Sequence, residues 1–191
     1  MRRVLLVRHT EVARRWHGRC YGRSDMGLSR EGARAARTLA QALATADVTA
    51  IVHSGLRRSA LLAELIGDRL GIAPHGDGGW MERDFGRWEG QSWEAIWRQT
   101  GNAMDGMLAD PDRFRPGGGE TTTELIHRAR RAWARLPSTG KVIVISHGGP
   151  IAAVRSAAAG ASPPALTGYI PALGDSFELH LDRISPVGVK S

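Results

Sequence analysis

The sequence predicts an α/β layer fold, and three observations carry that expectation. Two all-aliphatic runs, Val4-Leu5-Leu6-Val7 and Val142-Ile143-Val144-Ile145, have the character of fully buried strands of a parallel sheet. Around them the signals alternate as strand, helix, strand, helix, a long excursion, helix, strand, helix, strand. The length of 191 residues suits one domain, since most domains hold roughly 50–250 residues.

After the first strand, a Gly-rich charged loop runs through Arg23-Ser24-Asp25 to Ser29, which can cap a helix with the small apolar face Ala36, Leu39, Ala40 and Leu43. Ala50-Ile51-Val52 reads as a second short strand. Leu62, Leu65 and Ile66 mark the buried face of the next helix, which ends near Gly71. From Pro74 to Gly90 the chain is rich in glycine and tryptophan and too irregular for a regular element. Helical stretches follow around Trp93–Arg98 and Ala103–Leu108, separated by Thr100-Gly101-Asn102.

Pro116-Gly117-Gly118-Gly119 is a break. Thr121-Thr122-Thr123-Glu124 then has capping-box spacing, with Leu125, Ala129, Ala132, Trp133 and Leu136 following at helical intervals. Lys141–Ile145 forms the other buried strand, and Pro150 suits the first turn of the helix after it. Pro163-Pro164 and Pro171 bound a last region in which Ser176–Leu181 alternates like an edge strand.

Net charge is +7. Such a balance fits solvated surface arginine, nucleic acid, an anionic membrane or a small anionic substrate. The basic residues form no long block interleaved with aromatics, which argues against a nucleic-acid binder. The chain has a single cysteine, Cys20, and its opening Met1-Arg2-Arg3 is followed by only Val4–Val7 before the next charge. No secretory signal or membrane span is expected, and a cytoplasmic location is.

Each aliphatic run leads into a histidine: Arg8-His9-Thr10 follows the first and Ser146-His147-Gly148-Gly149 the second. Ligand sites in open α/β sheets form outside the carboxyl ends of the strands, so both imidazoles are expected in one crevice. A permanent cation flanks His9, and paired glycines that allow close approach of an anion follow His147. The combination suggests phosphate chemistry. A neutral His9 can attack phosphorus, and neighbouring guanidinium groups disfavour its protonated form.

Arg58 shares the helix face of Leu62, Leu65 and Ile66 that turns toward the sheet, and a guanidinium there needs an anion. Its partner could be a phosphate, or Glu82 or Asp84, unless the side chain snorkels to the surface. Glu82 stands in a segment decorated with aromatics and glycines, Trp80 to Gly90, where partly apolar surroundings could keep a carboxyl group protonated for donation to a leaving oxygen. Glu89 and Asp84 are its rivals. His9, His147 and a carboxylate could also ligate a metal, but Arg8 and Arg58 already supply the positive charge a metal would bring, and no metal or cofactor is expected. Trp16, Tyr21, Trp93 and Trp97 could stack on a planar base or serve the core.

At Leu6-Val7-Arg8-His9-Thr10-Glu11 the chain resembles the Arg-His-Gly motif of the histidine phosphatase superfamily, also called phosphoglycerate mutase-like. The likeness continues in order through Gly22…Asp25…Leu28-Ser29…Gly32, Ser54-Gly55-Leu56-Arg57-Arg58-Ser59-Ala60, Glu82…Phe85-Gly86…Trp88-Glu89-Gly90, Pro116–Glu120 and Ser146-His147-Gly148-Gly149. It implies a three-layer α/β/α sandwich whose mostly parallel central sheet carries an antiparallel edge strand. By the same resemblance His9 becomes phosphorylated, Arg8, Arg58 and His147 form the phosphate pocket, and Glu82 is the proton donor of a metal-free, two-step reaction.

Arg15, Tyr21, Gly22 and Gly148 are further expected substrate-binding positions, and the expected partner is a small phosphorylated metabolite, with no nucleic acid or membrane. Four positions depart from the family pattern. Thr10 replaces the usual glycine and adds a hydroxyl near the pocket. Arg15 stands where many members carry a phosphate-binding asparagine, a role that could pass to Arg14 or Arg15. Gly27 replaces a common proline, and an extra glycine precedes Glu120. Within the superfamily, Arg8-His9-Thr10, Arg19-Cys20-Tyr21-Gly22-Arg23 and the Phe85–Gly90 segment are most similar to α-ribazole phosphatases of cobalamin synthesis. The chain between Glu82 and Glu120 is shorter than in cofactor-dependent mutases, so the resemblance implies a phosphatase. A broad-specificity or sugar-phosphate phosphatase, a mutase-like enzyme and a non-catalytic phospho-ligand binding module on the same fold are the alternatives.

Overall fold

The structure, a computed structural model, describes residues 2–45 and 47–180. Its centre is a five-stranded sheet of order β3-β2-β4-β1-β5. The strands are β1 (Arg3–Arg8), β2 (Val48–His53), β3 (His75–Gly76), β4 (Lys141–Ser146) and β5 (Ser176–Leu179). β3, β2, β4 and β1 run parallel to one another, and β5 pairs antiparallel with β1 at the edge. The predicted α/β architecture, mostly parallel with an antiparallel edge, is the one observed. Leu181, the last residue of the expected edge strand, lies outside the described residues.

Alternation along the strands feeds a helical layer on each side. Leu5, Val7, Ile51, Ile143 and Ile145 point into one core with Ala36, Ala40, Leu62 and Ile66, residues of helices α1 (Arg30–Leu43) and α2 (Arg57–Leu70). Val4, Leu6, Val52, Val142 and Val144 point into the other, against Trp80, Ala129, Trp133, Ile151 and Val154. Full burial of each such aliphatic chain is worth about 1.5–3 kcal/mol relative to exposure.

The excursion between the halves begins with the short strand β3, which the sequence pattern did not reveal because two residues carry no periodicity. It continues through 3₁₀ turns at Gly78–Trp80 and Gly86–Trp88 into α3 (Trp93–Thr100). The second expected helix, Ala103–Leu108, is instead a 3₁₀ segment, Gly101–Asp105, running into the single turn α4 (Gly106–Ala109). The excursion carries a small core of its own, where Cys20, Trp88 and Ile96 meet Phe85, Trp93, Met104 and Phe114. Beyond it, helices α5 (Thr122–Ala134) and α6 (Gly148–Ala158) pack on each other. Among the described residues no helix is long and apolar enough to cross a membrane.

The predicted capping box is formed: the Thr121 hydroxyl accepts from the Glu124 N–H, and the Glu124 carboxylate accepts from the Thr121 N–H. Thr121→Ala removes one half of it, and urea unfolding should show a loss of about 1 kcal/mol.

Candidate active site

β1 and β4 are adjacent, parallel and in register from Arg3↔Lys141 to Arg8↔Ser146, so the two chains leave the sheet side by side. The first residue past each is a histidine. The His9 N–H donates to the Ser146 carbonyl (3.1 Å), and the two imidazole centroids lie 5.0 Å apart with their planes at 59°. Both rings are buried.

Hydrogen bonds fix both tautomers. His9 Nδ1 sits 2.7 Å from the Thr10 carbonyl, an acceptor, so Nδ1 carries the proton and Nε2 keeps its lone pair. Burial first, then the positive charge of Arg58, holds this imidazole down to about 3, with a smaller push from Arg8. At neutral pH it is uncharged, the form in which an imidazole can act as a nucleophile. His147 Nδ1 receives the Arg58 Nε–H (3.3 Å), so its Nε2–H donates to Ser54 Oγ (2.7 Å). Ser54 in turn meets Ser59 Oγ (2.7 Å), whose hydroxyl donates to the Leu56 carbonyl (2.8 Å). Burial and the charge of Arg58 also keep His147 neutral, well below the ordinary imidazole value.

Arg58 stands in the first turn of α2 and is wholly buried. Its guanidinium donates to the Gly22 carbonyl (2.5 Å), the Ser24 carbonyl (2.8 Å), Met26 Sδ (3.2 Å) and His147. All four acceptors are uncharged. Neither carboxylate considered as its salt-bridge partner takes that place: Asp84 lies 3.5 Å from Arg23, and Glu82 Oε1 is engaged by two backbone amides. A buried cation without a bonded counter-ion favours an arriving anion. The Tyr21 ring lies 5.2 Å from its Cζ. Arg8 donates to the Pro171 carbonyl (2.6 Å), and its buried Nε has no hydrogen-bond partner among the described residues.

Glu82 Oε1 accepts from the Arg83 N–H (2.9 Å) and from the Gly149 N–H (3.0 Å) in the first turn of α6. Its immediate partners are therefore backbone amides, not the apolar surroundings expected from the sequence. A Cβ at position 149 would stand 2.4 Å from that oxygen, so only glycine lets the carboxylate reach the helix end. The rivals have other work. Glu89 accepts from the Arg23, Ser24 and Phe85 amides and the Ser24 hydroxyl, and Asp84 accepts from the Gly86 N–H.

Arg8, Tyr21, Glu82 and Gly149 among these groups border a cleft of about 450 Å³. Arg8, Tyr21, Gly22, Glu82, Gly148 and Gly149 line one side; Phe85, Trp93, Met104, Met107, Leu108, Leu166 and Ile170 line much of the remainder. Arg15 is not brought to it. That residue is exposed in the turn Arg14–Trp16, and its carbonyl accepts from Arg19 Nε (3.1 Å), the arginine that does line the cleft. Arg14 pairs with Glu31 (3.2 Å). The Thr10 hydroxyl donates to the Gly32 carbonyl (2.8 Å), so it is engaged by α1. Trp97 is exposed, and Trp16 packs edge-on against Tyr21. Arg19 and Ser54 stand within the sequence motifs quoted above but were given no role of their own there. The position of Ser54 just past β2, the next strand of the parallel set, was an available signal.

The profile of the histidine phosphatase superfamily (branch 1) matches residues 4–183. This chain belongs to that superfamily. It is 30% identical over 172 residues to the glucosyl-3-phosphoglycerate phosphatase of Mycolicibacterium vanbaalenii, covering 84% of this chain and 75% of that protein. It is likewise 30% identical over 151 residues to a probable phosphoglycerate mutase of Yersinia pestis, covering 78% and 70%. The native structure of a mycobacterial glucosyl-3-phosphoglycerate phosphatase superposes with a TM-score of 0.83 at 25% identity, over 93% of this chain and 89% of the other. The chain is accordingly an enzyme of the phosphatase class.

A buried neutral His9 has a consequence for stability. Between pH ~6.5, where an unfolded histidine titrates, and about 3, where His9 titrates in the fold, the unfolded chain holds the extra proton. Stability therefore falls as pH falls through that window, by up to ~1.4 kcal/mol per unit from this residue. Denaturant unfolding from pH 7 to 4 should show the decline, and His9→Gln should lessen its slope while leaving the share of His147.

Proposed function

We propose that this chain is a metal-independent phosphomonoester hydrolase that works through a phosphohistidine at His9, with α-ribazole 5′-phosphate as its substrate. The observation that carries the reading is a buried imidazole whose Nδ1 bonds the Thr10 carbonyl, leaving the Nε2 lone pair for attack, set 5.0 Å from a second imidazole beside Arg58, a buried guanidinium that no described carboxylate hydrogen-bonds. His9 Nε2 attacks phosphorus; the N–P bond forms as the bond to the ester oxygen breaks, and Glu82 hands that oxygen its proton. Water then attacks the phosphohistidine, Glu82 takes the water proton, and His9 is released with inorganic phosphate. Arg8, Arg58, His147 and the amide end of α6 hold the equatorial oxygens.

The apolar part of the cleft supports a leaving group with a planar, weakly polar face, which a benzimidazole riboside has. The same reading makes the substrate a small phosphorylated metabolite of the cytoplasm. Two of the cleft's further cations are already engaged, Arg83 by the Glu120 carbonyl and Thr122 and Arg19 by the Arg15 and Gly90 carbonyls. That favours hydrolysis over a mutase reaction, which must hold a second phosphate. The relatives named for glucosyl-3-phosphoglycerate support a sugar-bearing phosphate ester, within a broad-specificity or sugar-phosphate phosphatase, as the second reading.

His9→Ala should abolish turnover of p-nitrophenyl phosphate while the protein remains folded by circular dichroism; retained turnover would refute the phosphohistidine. A panel of phosphorylated metabolites should rank α-ribazole 5′-phosphate first by kcat/KM, and a higher value for glucosyl-3-phosphoglycerate would select the second reading. EDTA should leave the rates unchanged, and loss of activity restored by a divalent cation would overturn the metal-free assignment.

A further inference from the structure

We infer that Arg128, locked to Glu120, is a positioning residue that sets where the Glu82 carboxyl group stands over the phosphate pocket. The inference rests on Glu82 being the proton donor of the reaction proposed above, and neither Arg128 nor Glu120 touches the reacting groups in that reading.

All five N–H groups of Arg128 have partners. Nε donates to Glu120 Oε1 (2.8 Å) and one Nη2–H to Glu120 Oε2 (2.8 Å), a two-point ion pair. The two Nη1–H groups reach the carbonyls of Gly79 (2.9 Å) and Met81 (2.8 Å), and the remaining Nη2–H reaches the carbonyl of Glu82 itself (3.3 Å). One planar fork, carried on the rigid helix α5, thus holds three carbonyls of the irregular segment that delivers Glu82. Such a segment has no ladder to satisfy its backbone, and buried carbonyls need a donor. Arg23 adds a longer contact to the Glu82 carbonyl (3.4 Å) and approaches Glu120 (3.6 Å).

Glu120 is placed by its own backbone. Its N–H donates to the Asp84 carbonyl (2.9 Å), and the preceding Gly119 passes so close that a Cβ would stand 2.2 Å from the same oxygen. The glycine-rich run before Glu120 therefore presses the turn onto the 84–88 segment and aims the carboxylate at Arg128. With about a tenth of each side chain exposed, 9% for Glu120 and 14% for Arg128, the pair is shielded enough for its geometry to hold.

Charge alone is the competing account, since the positive charge of Arg128 also bears on His147. Lysine keeps the charge and loses the fork, so Arg128→Lys separates the two. Glu120→Gln, close to isosteric, provides an independent lesion should the arginine variant fold poorly. Both variants and Glu82→Gln should be assayed in the full chain with p-nitrophenyl phosphate, whose leaving group needs little protonation, and with phenyl phosphate, whose leaving group needs more. Inhibition by inorganic phosphate reports the pocket independently.

Arg128→Lys and Glu120→Gln should each lower kcat/KM on phenyl phosphate, which reports the step that expels the alcohol, by roughly 10- to 100-fold, part of the factor a placed acid supplies. They should change kcat/KM on p-nitrophenyl phosphate and the phosphate inhibition constant by less than about 3-fold, in the direction of Glu82→Gln. Equal losses on both esters, a weakened phosphate inhibition constant, or wild-type rates in Arg128→Lys would overturn the positioning role. If Glu82→Gln itself lowers kcat/KM equally on both esters, the acid assignment fails and the inference falls with it; a selective effect of Glu82→Gln without one at 128 or 120 refutes the inference alone.

Discussion

The in-register parallel pairing of β1 with β4 is the constraint on which the rest of the molecule depends. It brings the residues after Arg8 and Ser146 out of the sheet together, and neither imidazole could meet the other if the strands were separated or slipped. A one-residue slip of either strand would also turn its own pair, Leu5 and Val7 or Ile143 and Ile145, away from the α1 and α2 side. The same burial that stabilises the sheet therefore holds the register that builds the site.

Electrostatics complete what topology begins. A crevice holding Arg58 and Arg8 beside two imidazoles would repel itself if the histidines were charged; burial keeps both neutral. The cost of burying the Arg58 cation is offset by neutral oxygen and sulfur acceptors around it, which solvate the charge without cancelling it. What remains is a positive potential in search of an oxyanion, with the amide end of α6 adding to it.

Much of this was legible from residues alone. Aliphatic runs announced β1 and β4, the helix face of Arg58 announced its burial, and Thr121–Glu124 announced the start of α5. What escaped did so for physical reasons. β3 has too few residues for a period, and the 101–109 segment has helical composition but starts from a glycine at positive φ. Arg15 was expected at the cleft by its place in the motif, yet the turn at Arg14–Trp16 leaves it in solvent while Arg19 folds back. The carboxyl group of Glu82 was legible as a candidate, but its docking on the Gly149 amide is a long-range contact that no local pattern encodes.

Phe85, Trp93 and Met104, which form part of the cleft wall, belong to the small cluster around Cys20, Trp88 and Ile96, separate from the two cores that grip the sheet. In the reaction proposed above these three side chains would face the alcohol, whereas the strands that carry His9 and His147 pack in the other two cores. Substitutions within the small cluster would then alter which ester is accepted with little disturbance to the paired imidazoles.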